Sequence, residues 1–423
     1  MNKNKVQYFL LFAILTISLF SLSGCTNLQA LGSTTTNIDK LAYVIALGFD
    51  SGTDGNSLKL TFQIAIPSGQ SGESSGGTSS QSSNVVVNTI DCNSINSGIS
   101  LMDSFISKKT NLSHCKVIIF SEEIASKGIS EYLYTLANDP EIRPDANIIV
   151  SKGDAKSFIQ NSQPTLEQIT ARYYEIATSS SKYTAYTEDA TLSNFFANYT
   201  DTFQQPAAIL GSINNTTTHQ EGHKDSNNTT NSSYIAGQTP IKTDKTNIEN
   251  MGIAVFCGDT LVGELNGLES ICHMIVTNEL QSCTISIPSP FENLSAIDLN
   301  VQKRKDTKVK GEIINGSPYI TIDVNLKCVI HSLNKDSDYL KEENLKKIQE
   351  YANAYIEQNI YQYLYKTSKD YKSDIAGFGK YFKRKFLFQK DWEEFNWLSH
   401  YKNSFFKVNV TTNVESSYLI LDA

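Results

Sequence analysis

A continuous apolar run near the start of the chain limits the folds that the protein can adopt. Residues 41–50 are Leu-Ala-Tyr-Val-Ile-Ala-Leu-Gly-Phe-Asp, and their apolar side chains do not alternate with polar ones. A short run of this kind, followed by turn residues, is typical of a buried strand. The segment from Leu58 to Ile66 does alternate, and the turn residues 51–56 separate the two. The sequence therefore predicts a β-hairpin.

Strands and helices continue to alternate through the first half of the chain. The pattern predicts an α/β arrangement in this half. The further predicted strands are residues 85–90, 116–120 and 146–150, and the predicted helices are residues 94–108, 122–136, 154–160 and a helix from Pro164 through Ile176.

The second half favours an antiparallel α+β arrangement. Gly258-Asp259 and Asn315-Gly316 each separate two strand-like runs, which is a strong hairpin signal. A long helix is predicted from about Tyr339 to Tyr365, and residues 405–414 form a closing strand. The whole chain is thus predicted to be a multidomain protein of mixed α/β and α+β class, with mixed sheets and packed helices.

Composition suggests where the domains begin and end. Residues 1–24 form a signal peptide, and residues 25–211 form an N-terminal domain. Residues 212–247 are rich in Asn and Thr and are interpreted as a low-complexity linker, and residues 248–423 form a C-terminal domain. Within the first domain, residues 26–37 are a polar tether and residues 68–83 a flexible Gly/Ser loop.

The N-terminus predicts export and lipid attachment. Lys3 and Lys5 precede an apolar run from Val6 to Phe20, which is shorter than the roughly 20 residues of a membrane span. Leu22-Ser-Gly-Cys25 follows and resembles the bacterial lipobox, which makes the Cys25 thiol the lipidation site. Two or more acyl chains hold a protein stably on a bilayer. The alternative is a buried cysteine in a transmembrane helix.

Charge and cysteine usage narrow the classes of function. The chain has 36 basic and 44 acidic side chains. Removal of Lys3 and Lys5 leaves 34 against 44, a net charge of about −10, which argues against a nucleic-acid partner. We interpret the other six cysteines as small core residues, with a disulfide framework as the alternative: Cys92, Cys115, Cys257, Cys272, Cys283 and Cys328.

The sequence gives little support for catalysis, metal binding or cofactor binding. His219 and His223 have the i, i+4 spacing of a zinc helix but lie in low-complexity sequence. His114 and Cys115 are neighbours in a strand, so their side chains point to opposite faces. The basic residues 303–305 could meet anionic lipid, although a solvated turn is the commoner reading, and residues 377–379 are interpreted as a turn. We predict a non-enzymatic protein.

Tyrosines on the long predicted helix provide a candidate partner surface. Tyr351, Tyr355 and Tyr361 belong to a series that wraps the helix rather than lining one face. Core and rim packing is one interpretation. A partner surface is the other, because tyrosine is enriched at protein interfaces.

Four stretches in order resemble one known family. They are the lipobox with residues 42–50, residues 113–150, residues 252–269, and residues 374–379 with Trp392 and Trp397. This ordered set is similar to the Ger(x)C lipoproteins, the C subunits of bacterial spore germinant receptors. The tether at residues 26–37 departs from the family pattern, which usually has Trp-Asp after the lipid cysteine.

The resemblance implies a receptor subunit without enzymatic activity. Such a subunit would be anchored by lipid to the outer face of the spore inner membrane and would work with an A subunit and a transporter-like B subunit. It also implies three small mixed α/β domains, so that one of the two predicted halves divides again. The main alternative is an extracytoplasmic solute-binding lipoprotein, and a weaker one is an anchored enzyme acting on cell-wall material.

Overall fold

A computed structural model describes residues 38–54, 57–66, 84–162, 164, 166–167, 169–214, 233–241, 247–291, 296–332 and 341–416. Ile38–Lys40 form a short 3₁₀ turn. Cys25, the tether, the predicted loop 68–83 and the pair His219 and His223 lie outside the described residues.

The first sheet contains nine strands in the described part of the chain. Its order is β3-β2-β1-β5-β6-β7-β8-β9, and β4 also pairs with β1. Strands β1, β5, β6 and β7 are parallel, whereas the pairs on either side of them are antiparallel. The strands are β1 (Leu41–Ser51), β2 (Leu58–Ala65), β3 (Val85–Cys92), β4 (Lys109–Asn111), β5 (Val117–Ser121), β6 (Asn147–Ser151), β7 (Ala207–Asn214), β8 (Asn247–Cys257) and β9 (Thr260–Leu265).

Helices connect these strands and cover the sheet. They are α1 (Ile95–Phe105), α2 (Glu122–Lys127), α3 (Ser130–Asn138), α4 (Ala155–Asn161), α5 (Thr170–Thr178), α6 (Ser181–Thr184), α7 (Leu192–Thr200) and α8 (Gly267–Thr277). The predicted break in the second helix occurs at Gly128, whose φ of 108° ends α2. The helix expected from Pro164 begins only at Thr170, so that boundary was wrong.

The continuous apolar run forms the predicted buried strand. Seven consecutive residues of β1, from Val44 to Asp50, are buried. The strand lies between β2 and β5 within the sheet, which explains why its apolar side chains do not alternate.

The second sheet has four strands in the order β10-β11-β12-β13. These are β10 (Ser282–Pro288), β11 (Ala296–Ile314), β12 (Ser317–Ser332) and β13 (Phe405–Ser416). β10, β11 and β12 are antiparallel, but β13 runs parallel to β12. The sheet is therefore mixed rather than purely antiparallel. A parallel pair needs a crossover connection, and helices provide the connection between β12 and β13.

The crossover is mainly helical. The long helix α9 (Glu342–Tyr365) continues as a π-helical turn, Lys366–Asp370. The short helices α10 (Gly379–Lys383), α11 (Gln389–Phe395) and α12 (Trp397–His400) follow, and Tyr401–Asn403 form a 3₁₀ turn before β13. The predicted long helix is confirmed over residues 342–365.

All three predicted hairpins are confirmed, because β1 pairs with β2, β8 with β9 and β11 with β12, each time antiparallel. Gly258, at a φ of 63°, lies in the turn between β8 and β9. Asn315 and Gly316, at φ values of 51° and 78°, join β11 to β12. Two successive residues at positive φ are characteristic of the two-residue turn that suits the twist of a hairpin.

Strand β8 is buried on both faces, and each face belongs to a different hydrophobic core. Ala254 and Phe256 pack in the core of the first sheet. Ile253 and Val255 pack in a second core, together with α8, α9 and the second sheet. β8 therefore ties the two sheets together.

Two strands reach into the interval predicted as a linker, and the first of them, β7, was not predicted from the sequence. β7 runs to Asn214 and β8 begins at Asn247, and these two residues are paired. The described residues inside this interval are also packed, because Ala236 is fully buried and its backbone nitrogen donates to the oxygen of Met251. The first sheet thus includes strands from both sides of the interval.

The mixed α/β fold class is confirmed. The described residues form two sheets, whereas the family resemblance led us to expect three domains. The six cysteines within the described residues have free thiols, and five of them are buried. Cys257 is exposed, at the last position of β8, so its assignment to the core was wrong.

Candidate functional site

The long helix α9 carries the predicted tyrosine surface. Tyr351 is 52% exposed, whereas Tyr355 and Tyr361 are half-buried against the second core. The Tyr361 hydroxyl accepts a hydrogen bond of 2.9 Å from the backbone nitrogen of Val408 in β13. Tyr361 therefore holds the helix on the sheet, and Tyr351 is the member of the predicted set with the most exposed ring.

A second side chain of α9 makes an equivalent contact. Asn353 Oδ1 accepts hydrogen bonds of 2.8 Å from both the backbone nitrogen and the hydroxyl of Thr412. β13 is the end strand of its sheet, and unpaired strand edges attract further strands. Asn353 and Tyr361 thus satisfy two backbone donors of β13 and hold α9 on this strand.

A buried turn after the π-helical segment joins the two sheets. Asp374 is fully buried and its carboxylate accepts hydrogen bonds from the backbone nitrogens of Phe378, at 3.1 Å, and Gly379, at 3.0 Å. Trp397 Nε1 donates a third, at 2.8 Å. Burial raises the pKa of Asp374 to about 6, although the three hydrogen bonds favour the ionised form.

The same turn contacts the first sheet through its backbone and a hydroxyl. The Ser373 hydroxyl donates to the oxygen of Phe256 in β8, at 2.5 Å. The nitrogen of Gln205 donates to the oxygen of Asp374, at 2.9 Å, and Gln204 Nε2 donates to the oxygen of Ile375, at 3.1 Å. The turn is therefore hydrogen-bonded to β8 and to the residues that precede β7, while Ile375 and Phe378 pack in the second core.

The core also contains a buried histidine that the sequence reasoning did not select. His273 on α8 is 2% exposed; its Nδ1 lies 2.8 Å from the Tyr363 hydroxyl, and its Nε2 lies 3.2 Å from Glu188 Oε2. Burial raises the pKa of the nearby Glu279. The sequence signal for this residue was a single histidine inside an apolar helix. Such a histidine is more often a core residue whose hydrogen bonds are satisfied. Here it links both halves of the chain.

A crevice lies at the carboxyl ends of the parallel strands, where α/β sheets commonly bind ligands. It has a volume of about 670 Å³ and is lined by Asp50, Ser121 and Asp154 among others. Asp50 accepts hydrogen bonds from the nitrogens of Ala155, at 2.7 Å, and Lys156, at 2.9 Å. Because Asp50 occupies the amino end of α4, that position is not available to a phosphate.

A second cavity, of about 770 Å³, lies where α5 and α6 face α8 and β11. Its lining carries charges of both signs, including Lys182, Asp189, Glu279 and Lys303. A polar cavity with both charges could receive a small charged solute. Lys303 is already paired with Asp306, at 2.9 Å.

The residues considered for chemistry are not arranged for it. The His114 ring contacts the Tyr43 ring, with centroids 4.5 Å apart, whereas Cys115 is buried and donates to the oxygen of Val117. Burial raises the pKa of Cys115 to about 12. In the part of the chain that the structure describes, no group of three or more His, Cys, Asp or Glu side chains could hold a metal ion. No described helix is long and apolar enough to cross a membrane.

Comparisons with known proteins match both halves of the chain. The family model described as the spore germination protein N-terminal domain matches residues 34–214. The model described as spore germination B3/GerAC like, C-terminal, matches residues 251–418.

Two individual proteins and one solved structure are similar to this chain over most of its length. The putative spore germination protein YfkR of Bacillus subtilis (strain 168) is 24% identical over 371 residues, which cover 85% of this chain and 87% of YfkR. Spore germination protein KC of the same organism is 24% identical over 406 residues, covering 92% and 90%. A solved structure described as the crystal structure of the GerBC protein covers 87% of this chain and 96% of its own, with 18% identity and a TM-score of 0.45.

Proposed function

Since the chain belongs to the Ger(x)C family of spore germination proteins, we propose that it is the lipid-anchored C subunit of a nutrient germinant receptor. The observation that carries the proposal is the match to both family domains, in order, at residues 34–214 and 251–418. In this role the protein has no enzymatic activity of its own and is needed for nutrient-triggered germination.

The sequence supports a lipid anchor at Cys25. A basic start, an apolar run and Leu22-Ser-Gly-Cys25 precede a body rich in buried cores. The anchor would hold this body on the outer face of the spore inner membrane. Cys25→Ala is expected to release the protein from membranes and to impair germination. Membrane retention with normal germination would reject the anchor.

We further propose that the outer face of α9 contacts the A or B subunit. Tyr351 is the most exposed of the three candidate tyrosines, and the hydrogen bonds of Tyr361 and Asn353 to β13 fix the helix that presents it. Tyr351→Glu should weaken co-purification with the receptor subunits, as should a charge at Tyr355. The matched control is Glu357→Lys on the same helix, which changes charge without removing an aromatic ring. Unchanged co-purification of the Tyr351 and Tyr355 variants would reject this surface.

The mixed-charge cavity favours one alternative function, the capture of a small charged solute by this protein itself. The deciding experiment is affinity purification of the tagged full chain from detergent-solubilised spores, followed by mass spectrometry. Recovery of a large A-type subunit and a transporter-like protein supports the receptor proposal. Recovery of this protein alone rejects it, and Lys182→Ala and Asp189→Ala variants would then be tested for loss of solute binding.

A further inference from the structure

We propose that residues 380–390, which run from α10 to the start of α11 and are hereafter called the basic loop, contact the surface of an anionic membrane and insert an apolar tip into it. The tip consists of Leu387 and Phe388, whose exposed fractions are 92% and 68%. The inference goes beyond the proposed receptor role, because it assigns a second, non-covalent membrane contact that does not depend on the lipid at Cys25.

Well-packed residues near the tip hold it in a position exposed to solvent. Phe386 is half-buried, and its ring lies 5.5 Å from that of Trp392 and 5.2 Å from that of Phe395, between centroids. Trp392 is 1% exposed, and its Nε1 donates to the Thr202 hydroxyl at 2.9 Å. Phe386 before the tip and Trp392 after it are therefore anchored in the second core, so the exposure of the tip is a feature of the fold.

Basic residues flank this tip in the sequence of a protein that is acidic overall. The basic loop contains five basic residues and no acidic residue: Lys380, Lys383, Arg384, Lys385 and Lys390. Lys390 Nζ lies 3.7 Å from Glu394, whereas the other four form no ion pair with a described residue. Lys383 and Arg384 instead lie over the rings of Phe203 and Tyr381.

Glu279 interacts electrostatically with Lys380, and the acids that follow the loop in sequence lie on one helix. Asp391, Glu393 and Glu394 follow directly on α11, so the charge is local to the loop. Exposed Leu and Phe beside Lys and Arg form the combination that binds lipid interfaces, where the apolar groups enter the acyl boundary and the cations meet the headgroups. A protein partner would need an acidic surface with an apolar pocket, whereas an anionic bilayer provides both properties at once.

The test measures insertion of the tip in the complete, lipidated protein. Leu387→Cys is labelled with an environment-sensitive fluorophore in a Cys257→Ser background, because Cys257 is the exposed cysteine among the described residues. The protein is reconstituted in vesicles containing phosphatidylglycerol and a lipid-attached quencher, or in phosphatidylcholine vesicles with the same quencher. We expect at least twofold stronger quenching in the anionic vesicles.

Two matched variants control for non-specific effects. Phe105 is another exposed apolar residue, at 75% exposure. A fluorophore attached to Phe105→Cys should be quenched equally in the two kinds of vesicle. Lys385→Glu should reduce the ratio of inserted to free label at position 387 roughly tenfold, whereas Lys109→Glu should not change it.

The outcomes distinguish membrane binding by the basic loop from membrane binding by the lipid anchor. Protein that floats with vesicles but shows no quenching at position 387 overturns the loop proposal and leaves the anchor intact. Equal quenching at positions 105 and 387 overturns it as well, and so does a signal at 387 that changes only when receptor subunits are added. If Cys25→Ala protein no longer floats but its loop label is still quenched by anionic vesicles, the anchor and the loop are both supported as separate contacts.

Discussion

The indole nitrogen of Trp397 donates a 2.8 Å hydrogen bond to Oδ2 of Asp374, and both side chains are buried. The two residues lie on either side of α10 and α11, so the bond closes that segment into a compact unit. Because the backbone oxygen of Asp374 also accepts from Gln205, the same residue links this unit to the first sheet.

Asp374→Asn should destabilise the protein by about 1–3 kcal/mol, because an amide nitrogen cannot accept a hydrogen bond and at least one buried donor loses its partner. The donors at risk belong to Phe378, Gly379 and Trp397. Urea unfolding at pH 7 measures the change, with the exposed Asp370→Asn as the matched control. Equal unfolding midpoints for the wild type and the Asp374 variant would contradict the assignment.

Stability should also depend on pH through Asp374. Its pKa in the folded protein is about 6, above the usual value of 3.8, so the folded state binds more protons between these values. The contribution is therefore fully present below about pH 4 and is lost as pH rises through about 6. The difference in unfolding free energy between wild type and Asp374→Asn should shrink over this range. A constant difference would show that the pKa of Asp374 is the same in the folded and unfolded states.

Removal of the Tyr361 hydroxyl should weaken the contact between α9 and β13. Tyr361→Phe leaves the backbone nitrogen of Val408 without its partner and is expected to lower the free energy of unfolding by about 1 kcal/mol. Tyr351→Phe is the control, because that side chain is 52% exposed. Chemical denaturation of both variants provides the comparison, and equal losses would argue against a specific role for the bond.

A methyl group at Gly263 should not fit. A Cβ there would lie 2.2 Å from the ring of Tyr371, whose hydroxyl donates to the oxygen of Glu264 at 2.8 Å. Gly263→Ala must displace this ring and should cost about 1–3 kcal/mol. At Gly153 a Cβ meets no atom within 4 Å, so Gly153→Ala should leave the melting temperature nearly unchanged. A melting temperature for Gly263→Ala equal to that of wild type would mean that the ring moves freely.

The C-terminal half should not fold when it is expressed alone. Residues 248–423 would retain β8 but lack its partner β7, and Ala254 and Phe256 would lose the core in which they are buried. We expect this fragment to aggregate or to lack a cooperative melting transition, whereas residues 26–423 should melt cooperatively. A soluble fragment with a sharp transition would establish an independent C-terminal domain.

Local signals account for the parts of the fold that could be predicted. The Gly258-Asp259 and Asn315-Gly316 turns are encoded by adjacent residues that accept positive φ, and both hairpins formed as expected. The tyrosines of α9 were selected because tyrosine is enriched at interfaces, and their role as a partner surface stays a prediction. Their division into an exposed Tyr351 and a hydrogen-bonded Tyr361 was not predictable, because it depends on β13, far along the chain.

The buried turn that contains Asp374 and the buried histidine His273 could not be predicted either, because their roles also depend on distant residues. Asp374 gains its role from Gln205 and Trp397, and His273 gains its role from Glu188 and Tyr363. These partners are separated by long stretches of sequence, and no local pattern indicates which will meet. The exposure of Cys257 likewise depends on its place at the end of a strand.

The parallel pairing of β12 with β13 has a consequence for the order in which the chain folds. Tyr319 pairs with Phe405 across the whole crossover, so the second sheet is completed by the last strand described. Contacts between residues distant in sequence form slowly, since the intervening chain must be ordered first. Synthesis makes the segment ahead of β13 before it makes β13 itself. The edge of β12 that pairs with β13 therefore stays without this partner until residues 405–416 have been made, and unpaired strand edges attract other strands.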